Sequence, residues 1–112
     1  MTYCVAAKLS AGLVLLSDSR TNAGVDDISI TKKMSIYKKK NDRTIFILCA
    51  GNLAITQSVK TLLIDSKGKR FWEASSLYTV AEVVGNCIRD VRKRDGKYLS
   101  QEGLDFNCSF IV

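Results

Sequence analysis

The sequence predicts an α+β chain in the order strand, strand, strand, strand, helix, helix, strand, or ββββααβ. Three observations carry this expectation. Apolar and polar residues alternate through much of the first fifty positions. After Asn52 the apolar period lengthens to that of a helix, and a short apolar run over residues 106–112 ends the sequence.

The first strand lies in Thr2-Tyr3-Cys4-Val5-Ala6-Ala7-Lys8-Leu9, where Tyr3, Val5, Ala7 and Leu9 share one face. Ser10-Ala11-Gly12 supplies turn chemistry, and Leu13-Val14-Leu15-Leu16-Ser17-Asp18 is the second arm of the hairpin. Residues 20–27, with Asn22, Gly24 and two Asp, read as a loop. Residues 28–37 alternate again, with Ile28, Ile30, Met34 and Ile36 on one parity. Thr44-Ile45-Phe46-Ile47-Leu48-Cys49-Ala50 is apolar on both faces, which predicts a central strand.

Leu53, Ile55, Val59, Leu62 and Leu63 then recur at helical spacing, with Asn52 placed to cap their first turn. Lys67-Gly68-Lys69 is the expected end of that helix. Ser76 or Thr79 opens the next one, striped by Leu77, Val80, Val84, Cys87, Ile88 and Val91. Gly96, after Arg92, Lys93 and Arg94, is its expected stop.

At 112 residues the chain has room for one domain, read as spanning residues 1–112. Its 46% hydrophobic and 25% charged content points to a folded core rather than disorder. No apolar run approaches the roughly 20 residues of a membrane span, and no basic-then-apolar leader opens the sequence. The expectation is a soluble, cytoplasmic protein without a membrane partner.

Two features of the composition limit the chemistry. There is no His, so neither a Ser-His-Asp nor a Cys-His nucleophile pair can be assembled from this chain. Cys4, Cys49, Cys87 and Cys108 lack the close spacing of a zinc site and the density of a disulfide scaffold. They read as buried thiols, and neither metal nor cofactor is expected.

The net charge of +6 is concentrated. Lys32, Lys33, Lys38, Lys39, Lys40 and Arg43 stand against Asp42 alone within residues 32–43. Such a cluster attracts polyanions. Its turn formers, and the presence of only Tyr37 as a stacking ring, make a charged hairpin tip the plainer reading and nucleic acid the poorer partner.

Thr2 is the position with the most chemical consequence. Removal of Met1 would give one residue both a hydroxyl and a free α-amine. An α-amine titrates at about 7.7–8.0, so it can act as the hydroxyl's own general base without any His. Taken alone, a Thr at position 2 carries little information.

Its surroundings carry more. Met1-Thr2-Tyr3-Cys4-Val5, the long stretch Ser17-Asp18-Ser19-Arg20-Thr21-Asn22-Ala23-Gly24-Val25-Asp26, and Ala50-Gly51-Asn52-Leu53 follow one another in a fixed order. Arg92-Lys93-Arg94-Asp95-Gly96 and Gly103-Leu104-Asp105-Phe106 lie downstream. This arrangement resembles the β-type subunits of the proteasome and its bacterial relatives, within the N-terminal nucleophile hydrolase superfamily. The resemblance runs from end to end of the chain, and its long second stretch is the most specific part.

The resemblance implies a fold, an activity and a set of roles. The fold would be the N-terminal part of a four-layer αββα sandwich whose second half, beyond Val112, completes the sheets and supports the nucleophile. Without those strands, apolar sheet faces are expected to be exposed. The activity would be a threonine-type peptidase acting on peptides or unfolded proteins inside a homo-oligomer.

Thr2 would be the nucleophile, and Asp18 the carboxylate that holds a lysine. Lys33 would be that lysine, and Gly51 a backbone donor to the oxyanion. Thr21, Lys32, Cys49 and Leu53 would line the substrate pocket. Each residue has a plainer reading by itself: Asp18 a turn, Gly51 a strand-to-helix joint, Lys33 a solvated lysine. Strand alternation even places Lys33 with Ser29, Thr31 and Ser35 on the polar face, and Lys32 with the apolar one; the family's order selects Lys33. An inactive structural subunit of the same fold, and a basic binding module, remain the alternative functions.

Overall fold

A computed structural model describes residues 2–22, 28–65 and 68–112. Met1, the Ala23-Gly24-Val25-Asp26 part of the long motif, and Lys67 as a helix stop lie outside the described residues. The chain divides into two compact units. One runs through Ala50 and takes in Ser109–Ile111; the other is Gly51–Cys108 with Val112.

In the first unit, β1 (Cys4–Leu9) and β2 (Gly12–Ser17) form the expected hairpin, in register from Cys4↔Ser17 to Leu9↔Gly12. Ser10 and Ala11 make the two-residue turn, and Gly12 follows at a φ of 146°, where a side chain would be strained. Apolar exposure expected of the sheets falls on this ribbon: Tyr3, Val5, Leu9, Leu13, Val14 and Leu16 all face solvent.

The next stretch differs from the sequence reading. Arg20–Asn22 is a short strand, β3, rather than loop. It pairs antiparallel with β4 (Ile28–Ile30), Arg20 opposite Ile30. Three residues are too few for alternation to register against the turn formers that follow. The single strand expected over residues 28–37 is also broken: Thr31, Lys32 and Lys33 leave the extended ladder, and β5 begins at Met34. The Thr31 amide donates to the Ser19 carbonyl at 2.7 Å, which ties this break to the end of β2.

β5 (Met34–Lys39) and β6 (Arg43–Gly51) pair from Met34↔Leu48 to Lys39↔Arg43. The basic tip is a hairpin loop, as expected. Asn41 takes a φ of 57°, a left-handed turn that Asn tolerates better than most side chains. Asp42 relieves the like charges across the last rung, lying 3.3 Å from both Lys39 and Arg43. β6 is the middle strand of a three-stranded sheet, β5-β6-β7, with β7 at Cys108–Ile111. Ile45, Ile47, Leu48 and Cys49 are buried, as continuous apolarity requires of a central strand. The final strand thus finds its partner upstream.

In the second unit, α1 (Leu53–Asp65) is capped by Asn52, whose Oδ1 accepts from the Ala54 amide at 2.9 Å and the Ile55 amide at 3.3 Å. A helix not expected from the sequence, α2 (Gly68–Trp72), follows. Five residues give too little periodicity to be read, yet its Phe71 is fully buried. α3 runs from Leu77 to Gln101 with Ser76 as N-cap, its Oγ accepting from the Thr79 amide.

Gly96 does not end α3. The stop is Gly103, at a φ of 71°: its amide donates to the Ser100 carbonyl, and the Leu104 amide to Leu99, at 3.1 and 2.9 Å. That 6→1 and 5→2 pair is the Schellman closure, which needs a glycine in the left-handed region; Gly96 sits in ordinary helix. Val80, Val83, Val84, Cys87 and Val91 line the buried face of α3, and Ile55, Val59 and Leu63 that of α1. The three helices pack on one another. No helix among the described residues is long and apolar enough to cross a membrane.

Candidate active site

The site is built on the open end of the β1–β2 hairpin. One rung past Cys4↔Ser17, the Asp18 amide donates to the Tyr3 carbonyl at 3.0 Å. The Tyr3 amide turns to the Asp18 side chain instead, donating to Oδ1 at 2.8 Å. Asp18 is therefore locked to the residue that directly follows Thr2. Thr2 itself is half-buried.

Lys33 arrives from the break between β4 and β5. Its Nζ donates to Asp18 Oδ2 at 2.7 Å and to the Arg20 carbonyl at 2.6 Å. The Arg20 amide lies 3.3 Å from the same Oδ2. The backbone of Lys33 is pinned from behind by Cys49, whose amide and thiol both donate to the Lys33 carbonyl, at 2.8 and 3.3 Å. This clamp turns the side chain inward, leaving Lys33 only 7% exposed while Lys32 faces solvent.

Alternation misassigns the two lysines for a physical reason. Residues 31–33 are not in strand conformation, so parity counted from Ile28 does not carry through them.

Electrostatics follow from this geometry. The Lys33 ammonium, then the Tyr3 amide, hold the Asp18 carboxyl down from its ordinary 3.8 to about 2, so it is ionised at any physiological pH. The Cys4 thiol, 3.6 Å from the Cys49 carbonyl, goes the other way. Burial, then the neighbouring Cys49 and Asp18, push it up, so it stays protonated and a poor nucleophile.

A cleft of about 510 Å³ opens beside the pair, lined by Ser17, Asp18, Ser19 and the run Lys32, Lys33, Met34, Ser35, Ile36. Of the residues expected to contact substrate, Lys32 lines this cleft. Thr21 lies half-buried in β3, and Cys49 is buried behind Lys33.

Gly51 and Leu53 belong to the helical unit. Gly51 adopts a φ of 107°, and a Cβ there would run into the Asn107 carbonyl and the Cys108 Cα. The Asn52 amide donates to that same carbonyl at 2.9 Å. Leu53 is the first residue of α1. Among the described residues no three His, Cys, Asp or Glu side chains come together as metal ligands.

Several contributors are invisible to motif reading because they act through the backbone: the Tyr3 amide, the Arg20 carbonyl and the Asn107 carbonyl. The two serines flanking Asp18 were legible as residues, though not as cleft walls.

Solved structures of proteasome-type, N-terminal-nucleophile-hydrolase-like subunits are similar to this α+β chain. The chain is similar to a mutant Anbu from Hyphomicrobium sp. strain MC1 (38% identity, TM-score 0.84), over 98% of this chain and 45% of that one. It is similar to Anbu (ancestral beta-subunit) from Yersinia bercovieri at 38% identity and TM-score 0.79, with the same coverage. Anbu from Pseudomonas aeruginosa, described as a helical assembly, matches at 35% identity and TM-score 0.77, over 98% of this chain and 46% of that one. These likenesses are consistent with an Anbu, or ancestral beta, proteasome-like subunit, and the chain spans just under half the length of these relatives. No protein-family model and no curated protein matches it.

Proposed function

We propose that the chain is a threonine-type peptidase subunit, hydrolysing peptide bonds through Thr2 once Met1 is removed. The observation that carries this reading is the sharing of one carboxylate. Asp18 binds the amide of the residue after Thr2 through one oxygen, and the buried Lys33 ammonium through the other. A positive charge is thereby tethered to the strand end that would bear the nucleophile.

In the proposed reaction the Thr2 hydroxyl attacks the scissile carbonyl and its proton passes to the Thr2 α-amine. Lys33 favours the neutral, proton-accepting form of that amine, because like charges disfavour each other, and it stabilises the developing alkoxide. Gly51, in the role the resemblance gives it, donates its amide to the oxyanion, a contribution of about 3 kcal/mol. The amine then passes its proton to the leaving nitrogen, and water hydrolyses the ester left on Thr2.

The same reading extends to the architecture and partners. Strands and helices would form part of a four-layer αββα sandwich, in a cytoplasmic homo-oligomer that admits peptides or unfolded chains. The assembly of the Pseudomonas relative supports the oligomer.

The alternative is a catalytically inactive subunit of the same fold. Hydrolysis of fluorogenic peptides separates the two. Activity that disappears in Thr2→Ala supports the peptidase; full activity in that variant refutes the assigned nucleophile.

A further inference from the structure

We propose that Lys32 makes the cleft beside the Asp18–Lys33 pair selective for peptides that place an acidic side chain there. The proposal rests on the peptidase reading for where substrate lies, and deepens it by naming the substrate class.

Among the described residues, three charged side chains line the cleft: Asp18, Lys32 and Lys33. Two of them cancel. Asp18 and Lys33 form an ion pair at 2.7 Å, and the Asp18 oxygens also accept from the Tyr3 and Arg20 amides. The charge left for an incoming side chain is the Lys32 ammonium, which is exposed and has no ion-pair partner among the described residues.

The remaining cations of the basic stretch begin at Lys38. At about 3.3 Å per strand residue Lys38 stands about 7 Å beyond Ile36, the last residue of the lining, within the roughly 8 Å screening length of physiological salt, and adds to the same positive field; Lys39 and Lys40, about 10 Å or more beyond Ile36, lie outside it.

The rest of the lining suits the same ligand. Met34 and Ile36 offer apolar surface to the methylenes of a Glu, and Ser17, Ser19 and Ser35 bring hydroxyl donors. A Lys or Arg side chain would meet the opposite situation. It would face Lys32, and the carboxylate that the described residues bring to the cleft already accepts from Lys33 and two amides. Discrimination arises as much from that missing acceptor as from attraction.

The test uses acetylated, amidated peptides identical except for one central residue, Glu, Gln or Lys, binding to the Thr2→Ala chain so that nothing is turned over. Fluorescence anisotropy at physiological salt should show the Glu peptide binding about threefold tighter than Gln and about tenfold tighter than Lys, the range of one exposed charge pair and its reversal. Lys32→Gln should bring the three within about twofold, and Lys32→Glu should invert the order. Lys40→Glu, the same change in net charge at the hairpin tip, should leave the order alone.

Equal affinities in the parent, an order that survives Lys32→Glu, no binding at all, or a carboxylate effect seen only when the peptides end in a free acid would each overturn the assignment. Hydrolysis of the same peptides by the Thr2-bearing chain is a separate readout. An intact affinity order without turnover contradicts the peptidase and leaves Lys32 in its assigned place.

Discussion

Gly51→Ala isolates one structural demand of the joint between β6 and α1. At a φ of 107° an L-residue sits in a sparsely populated region, which costs about 1–3 kcal/mol. The added methyl would also press on backbone. The Asn107 carbonyl carbon and the Cys108 Cα both lie 2.9 Å from the ideal Cβ position, with the Asn107 oxygen closer still. Backbone cannot swing aside as a long side chain does, so overpacking adds about 1–3 kcal/mol.

Together these take about 2–6 kcal/mol from a fold whose total stability is of order 5–15 kcal/mol. In urea, with a slope of about 2 kcal/mol per molar, the midpoint should fall by about 1–3 M. Trp72, the sole tryptophan, lies in the same helical unit as Gly51 and stacks edge-on to Phe71 at 5.2 Å, so its emission follows the relevant unfolding. Gly85→Ala is the matched control. Its Cβ would make ordinary contact with the Arg89 guanidinium at 3.5 Å inside α3, and it should gain about 0.5–1 kcal/mol. A Gly51→Ala midpoint indistinguishable from the parent's would refute the argument.

The Asp18 carboxyl should titrate near pH 2, read by carbon-detected NMR, and Lys33→Met should return it toward 3.8. Because its folded-state value is depressed, the stability it contributes is fully present above about pH 4 and lost as pH falls through 2; an Asp18 midpoint near 3.8 in the parent chain would contradict the ion pair. Lys33→Ala should cut peptide hydrolysis by about 100-fold or more and Thr2→Ala should abolish it, with the circular dichroism of Thr2→Ala unchanged. Phe71→Ala, deleting a fully buried ring, should cost about 3–5 kcal/mol of thermal or urea stability; a loss under 1 kcal/mol would mean α2 is not part of the core.

The parts legible in the sequence were those with a repeating physical signal. Alternation located β1, a continuous apolar run after turn residues located β2, unbroken apolarity marked β6 as central, and Asn52 and Ser76 announced their helices because a short polar side chain before an apolar stripe has one good use. What escaped was short or depended on partners. β3 exists because β4 lies opposite it, and α2 because Phe71 has somewhere to be buried. Gly96 and Gly103 are equivalent as letters, and only the backbone angle tells the stop from the helical residue.

The Asp18–Lys33 pair shows the limit best. Periodicity alone favoured Lys32, and the choice of Lys33 came from order along the motif. The reason it turns inward, a ladder broken at residues 31–33 and a carbonyl clamped by Cys49, requires knowing which strand lies behind it.

In the proposed mechanism the amino end of β1 supplies the nucleophile. Intact-mass analysis followed by labelling with a peptide vinyl sulfone and fragment sequencing tests it in one experiment. The mechanism requires a chain that has lost Met1 and carries the adduct on Thr2, with labelling absent in Thr2→Ala and much slowed in Lys33→Ala. A chain that keeps Met1, or an adduct found on Cys4 with Thr2 untouched, would contradict it.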